Sequence, residues 1–194
     1  MPIFLNTLEG HKMVSLDTPI WRYLSFDRYV YLITSGNLWF SRIDKVGDRF
    51  EGSSTHASHR IWREVFESIV PTEKLTEVLT THTETRKSIR KLAMANCWHA
   101  EEYEQMLMWK LYSDRNGIAI RTTPGDLGDS LIGNTDVFVN HVRYLDYSKL
   151  GSDSITNENF LSRVSSRPKY LNYEKEVRLV VTNPVLPEDF IRFD

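Results

Sequence analysis

The sequence contains one cysteine, Cys97, in 194 residues, so no disulfide can form within the chain and a reducing compartment is favoured. It has almost no imbalance of charge: 24 Lys and Arg against 26 Asp and Glu leave a formal net charge of −2. That removes the nucleic-acid reading that rests on a basic excess, and leaves only a local basic patch, such as Arg86 to Lys91 in "TRKSIRK", to support one. No uninterrupted apolar run reaches bilayer-spanning length, and "MPIFLNTLEGHKMV" lacks a basic segment followed by a long apolar one. The expectation is a soluble, cytoplasmic protein with no membrane partner. Three nucleotide and hydrolase signatures are also missing: Gly-x-Gly-x-x-Gly, the Walker loop and the Gly-x-Ser-x-Gly elbow. His56 and His59, or Cys97 and His99, are not joined by further ligands at zinc spacing, so no metal site is expected.

What is present is the composition of a globular protein, 41% hydrophobic and 26% charged, of a size for one domain over residues 1–194. "TPIWRYLS" reads as a strand over Pro19 to Leu24. A helix follows, with Phe26, Tyr29, Val30, Leu32 and Ile33 at helical spacing between a Ser25 cap and Gly36. "NLWFSRI" returns to a strand. Two helices separated by Pro71, with Thr72 as cap, form a helical insertion over about 58–95. "NCWHA" reads as a short buried strand. Next comes a helix with Tyr103, Met106, Leu107 and Leu111 on one stripe, closed by Gly117, and then the strand "IAIRTT". A small helix in "TPGDLGDSLI", a long strand "VFVNHVRYLDY", a polar connection and the strand "YLNYEKEVRLVV" complete the chain. Irregular interleaving of this kind implies an α+β fold with a mixed or mainly antiparallel sheet.

Several side chains draw attention. Alternation places Glu174, Glu176 and Arg178 on one strand face and Val177, Leu179 and Val181 on the other. The charged face is either a site or a solvated surface paired across strands. Asp48, Phe50 and Glu51 could hold a cation or form an ordinary turn, and either acidic residue could pair with Arg22. His99 reads as a hydrogen-bonded histidine, Cys97 as buried and inert, and Trp98, Trp109 and Tyr112 as core.

The segments "NLWFSRIDKVGDRFEG", "NCWHAEEYEQMLMWKLYSDRNGIAIRTT", "VRYLDY" and "NYEKEVRLVV" occur in an order that resembles an uncharacterised prokaryotic and phage domain family of unknown function. Its pattern is Cys-Trp-His, Met-Trp-x-x-Tyr, a Gly-led strand, Val-x-Tyr and Glu-x-Glu-x-Arg. That family is in turn distantly similar to ADP-ribosyltransferases in the order of its elements. The resemblance implies NAD as substrate, a transferase acting on an unidentified acceptor or hydrolysing NAD, and a setting in phage–host conflict. It implies catalytic roles for Glu176, beside the ribosyl cation, and Glu174, toward the acceptor. Arg22 would anchor NAD, with Ser41 as the polar residue of the second strand. Tyr23 and Trp109 would stack on its rings, and Arg178 is a further candidate for phosphate. The other reading is a non-catalytic recognition domain for a nucleotide-type small molecule or a modified nucleic acid.

Overall fold

The computed structural model describes residues 3–5, 12–46, 52, 56–113, 115–132, 136–148, 160–182 and 190–192. Asp48, Phe50 and Glu51 lie outside the described residues.

The chain begins with β1 (Ile3–Leu5) and β2 (Ile20–Leu24), the strand expected from "TPIWRYLS". Helix α1 (Phe26–Ser35) follows, and Gly36 ends it in the left-handed region, φ 63°, donating its N–H to the Leu32 carbonyl. Ser25 occupies the N-cap but its side chain caps no backbone N–H. The "NLWFSRI" segment divides at Phe40 into β3 (Asn37–Trp39) and β4 (Ser41–Arg42), because the two halves join different sheets. The helical insertion is α2 (His56–Ile69) and α3 (Thr72–Ile89), with Pro71 rather than Thr72 at the N-cap. A 3₁₀ turn over Arg90–Leu92 leads into β5 (Met94–Ala100), which takes residues expected in the helix.

Helix α4 (Met106–Tyr112) is shorter than its apolar stripe implied, and that stripe faces outward. Tyr103, Met106, Leu107 and Leu111 are exposed and Met108 is the buried residue. Strand β6 (Ile118–Thr122) and helix α5 (Pro124–Ser130) follow, the latter capped by Thr123, whose Oγ1 accepts from the Asp126 N–H at 3.1 Å. The long strand expected next breaks at Val142 into β7 (Val137–His141) and β8 (Arg143–Leu145). Beyond it come α6 (Phe160–Val164), β9 (Ser166–Pro168), a 3₁₀ segment over Lys169–Glu174, β10 (Glu176–Val181) and β11 (Phe190–Arg192).

The main sheet runs β1-β7-β10-β5-β2-β6, with β4 beside β5. Every pairing in it is antiparallel except β1 with β7, so the α+β expectation with a mixed, mainly antiparallel sheet holds. Strand β5 shares one edge between two partners, β4 at Met94 and Ala95 and β2 at His99 and Ala100. Strand β10 is central, and all six of its residues are buried.

One face of the sheet carries the larger apolar cluster, with Ile20, Trp98, Val139, Val177, Leu179 and Val181 packed under Val14, Leu38 and Leu127. The other carries a smaller one of Ile43, Ala93, Ala95, Val164 and Val180. Both faces of the central strand are therefore covered, which excludes the solvated reading of the Glu176 and Arg178 side. No described helix is long and apolar enough to cross a membrane.

Candidate functional site

Register decides which side chains share a face. Residues directly opposite one another in an antiparallel ladder project to the same side. Glu176 of β10 pairs with His99 of β5, His99 with Trp21 of β2, and Trp21 with Arg121 of β6. Carboxylate, imidazole, indole and guanidinium thus form one row across four neighbouring strands, about 14 Å long at ordinary strand spacing. Cys97, Arg178 and Tyr23 project to this same face from adjacent positions.

The carboxylate end of the row is a closed ionic network. Arg178, only 1% exposed, donates from Nε to Glu176 Oε1 at 2.7 Å and from Nη2 to Glu176 Oε2 at 3.0 Å. Its Nη1 donates to the Val164 carbonyl at 2.5 Å, which ties the pair to the end of α6. Arg167 of β9 donates from Nη1 both to Glu174 Oε2 and, at 3.2 Å, to Glu176 Oε2. Of these four side chains Arg167 is the most exposed, at 12%. The Glu176 N–H donates to the Tyr144 hydroxyl at 2.9 Å, so the backbone of the carboxylate strand is held as well.

Glu174 reaches this network by a route that strand alternation does not describe. It ends the 3₁₀ segment, and Lys175 adopts the left-handed region, φ 39° and ψ 50°, before β10 begins. That turn, rare for a residue with a Cβ, brings Glu174 and Glu176 to one guanidinium. The Glu174 carbonyl accepts from His99 at 2.6 Å, which places the proton on Nδ1 and leaves Nε2 as an acceptor. His99 Nε2 is buried without a partner, as are both side-chain polar atoms of Asn140, which lies opposite Arg178 on β7. Both carboxylates are thus met by guanidinium groups, and His99 and Asn140 have hydrogen-bonding groups to spare beside them.

The two carboxylates are displaced in opposite directions. Burial raises the Glu174 carboxyl above its ordinary range, and the Arg167 charge offsets this only in part while Glu176 adds to it. Burial also pushes Glu176 upward, but the charge and hydrogen bonds of Arg178 outweigh it and hold that carboxyl low. Burial lowers His99, so the ring is neutral near pH 7, and raises the Tyr112 and Tyr144 hydroxyls, which also face the two carboxylates. Tyr23 stands beside His99 with ring centroids 6.4 Å apart, and Trp109 packs edge-on against Tyr23 at 5.2 Å. The Tyr23 hydroxyl accepts from the Gln105 N–H at 2.8 Å, which fixes the start of α4 over this end of the site.

The residues singled out from sequence separate into three groups. Glu174, Glu176, Arg178, Tyr23 and Trp109 are on one face and close together. Ser41 is on that face but opposite Ala95, four residues from His99 along β5, about 13 Å away at strand rise. Arg22 is on the other face, because Ile20 pairs with Ala100 and Arg22 with Ile120 on the side of the larger apolar cluster. Arg22 and Glu176 do not converge. Arg167, Tyr144 and Arg121 were not found from sequence; Arg167 lies seven residues before Glu174 without periodicity to mark it, and Arg121 is identified only by its register with Trp21.

No protein-family model, no curated protein and no solved structure matches this chain.

Proposed function

We propose that the chain is an ADP-ribosyltransferase-like enzyme that binds NAD along the Glu176–His99–Trp21–Arg121 row and transfers ADP-ribose to an acceptor or to water. The row itself carries the reading, since it sets a carboxylate pair at one end, aromatic surface between, and an exposed cation at the other. Such an order suits a ligand with a developing positive charge at one ribose and an anionic pyrophosphate farther along. Arg121 Cζ lies over the Trp21 ring, 5.8 Å from its centroid, and the group meets Glu102 only at 3.7 Å, so its donors are available to phosphate. It takes the role that Arg22 cannot fill from the opposite face. Tyr112 and Tyr173, both exposed beside Glu174, offer flat surface for a base or for nicotinamide.

In the reaction the glycosidic C–N bond breaks and its electron pair neutralises the nicotinamide nitrogen. The ribosyl cation that develops is stabilised by negative charge held beside it. Glu176 stays ionised because Arg178 keeps it so. Glu174, whose raised carboxyl is the better proton acceptor, takes the proton that the acceptor loses as its new bond to the ribose carbon forms. Arg167, shared by both carboxylates and the most exposed of the four, is the cation that the ribosyl charge displaces.

The test is release of nicotinamide from NAD by purified protein, with DNA, RNA and protein offered as acceptors. Glu174→Gln is expected to lower kcat at least a hundredfold with folding retained, and Arg121→Ala to raise KM several-fold with kcat little changed. Full turnover in Glu174→Gln would sink the assignment. A second reading is favoured by the completeness of the Arg178–Glu176 pair: a non-catalytic module that recognises a nucleotide or modified nucleic acid by the same row. Binding that depends on Trp21 and Arg121, with no nicotinamide released under any condition, would establish that reading instead.

A further inference from the structure

Arg22 is a half-buried cation whose Nη1 is fully enclosed, and the described residues offer it no acceptor. It lies on the face of the sheet away from Glu174 and Glu176, among the side chains of Ile20, Ile120 and Trp98. Its Cζ sits 5.8 Å from the centroid of the Trp98 ring. A ring contact of this kind satisfies none of the N–H donors of a guanidinium. Nη1 is buried and has no hydrogen-bond partner, and no carboxylate pairs with the group among the described residues.

A charge taken out of water needs an ion pair, loss of the charge, or a ligand. The first is absent among the described residues. Burial lowers the Arg22 pKa to about 10, the nearby Cys97 thiol opposing this slightly and the Arg28 charge adding to it, so the group keeps its charge near pH 7. The ligand remains. We propose that Arg22 anchors a second binding site, for a phosphoryl group, on the face of the sheet opposite the carboxylate network. The edge of the guanidinium would meet two oxygens in a fork, and the neighbouring Arg28 favours a dianion over a singly charged carboxylate. The residue as a whole is half-buried, so a ligand can approach the guanidinium from its solvent side and take the enclosed Nη1 donor as it does so.

Titration with inorganic phosphate, against acetate at matched ionic strength, tests this through melting temperature and tryptophan fluorescence. Phosphate is expected to raise the melting temperature of the unaltered protein in a saturable way, and acetate to do so at least tenfold less effectively. Arg22→Gln should weaken the phosphate response at least tenfold, while Glu174→Gln, on the other face, should leave it unchanged. Arg22→Met provides an independent arm: without phosphate it should melt above the unaltered protein, since an unpaired buried charge is gone, and phosphate should erase that difference. Equal phosphate responses in the unaltered protein and Arg22→Gln would overturn the site, and so would the absence of any saturable response. Equal effects of acetate and phosphate would overturn the phosphoryl assignment. Because the Arg22 variants leave the NAD row untouched, failure here and failure of the proposed transferase activity are read separately.

Discussion

The two faces of the central sheet treat their arginines in opposite ways. On one, Arg178 is enclosed and every donor group it presents is met, twice by Glu176 and once by the Val164 carbonyl. On the other, Arg22 lies over an indole with its Nη1 unmet. The first arrangement is complete within the protein. The second leaves a donor unmet among the described residues, and this difference separates a charge that holds a fold together from one that, as proposed above, takes a ligand.

The comparison is broken most forcefully at Arg178. Replacing it with Met leaves Glu176 buried with Arg167 as its remaining cation, and unfolding in urea should show a loss of about 3–5 kcal/mol. Replacing both partners, Arg178→Met with Glu176→Leu, should recover much of that loss, because the cost lies in the uncompensated charge rather than in the missing pair. If the double variant is no more stable than the single one, the pair contributes more than charge compensation and the contrast with Arg22 fails.

How much of this contrast was visible in the sequence follows from what alternation can and cannot specify. Period-two patterning correctly put Glu176 and Arg178 on one side of their strand and Val177 and Leu179 on the other. It does not say which side of a neighbouring strand shares that face. The separation of Arg22 from Glu176 rests on the pairing of Trp21 with His99 and of His99 with Glu176, and a shift of one residue in either would reverse it. Nor does a local pattern show that β10 is central. That position is what converts an apparently solvated charged face into a buried one needing internal partners. Gly36 was legible because its effect is local, a left-handed turn, whereas the Thr123 side-chain cap was not singled out in the sequence. The apolar stripes of α1 and α4 misled because spacing marks an apolar side without fixing which way it faces. Phe26, Val30 and Ile33 are exposed, as are Met106 and Leu107.

A smaller effect sharpens the comparison through histidine. His99 is on the carboxylate face and His141, opposite Val177, is on the other; burial lowers both, and it lowers His82 of the helical hairpin too. Each folded pKa lies below the unfolded value near 6.5, so the unfolded chain takes up protons first as acid is added. Stability is therefore full above about pH 6.5 and falls as pH drops toward the folded values, by at most about 1.4 kcal/mol per pH unit for each group. Glu176, held low, adds a loss only at lower pH, below the ordinary glutamate range, while Glu174, held high, acts in the opposite sense. Urea unfolding between pH 7 and pH 5.5 therefore reads the histidines against the opposing contribution of Glu174, and single substitutions separate the two. His99→Gln and His141→Gln should each flatten the slope, and an unchanged slope in both would show that neither face holds its histidine neutral.

The smallest effect concerns how far the carboxylate face is functional. Ser41 shares that face, but it sits at the β4 end of β5, where its Oγ accepts from Trp39 Nε1 at 3.1 Å. A site confined to the row through His99 does not reach a residue four positions along the strand. Ser41→Ala should accordingly change NAD turnover less than twofold and stability by no more than about 0.5 kcal/mol, the range of a surface hydrogen bond lost to water. A large rise in KM in this variant, with kcat and melting temperature unaltered, would extend the ligand along β5 toward β4. It would also show that the region opposite the closed Arg178 pair, and not only the row across the strands, takes part in binding.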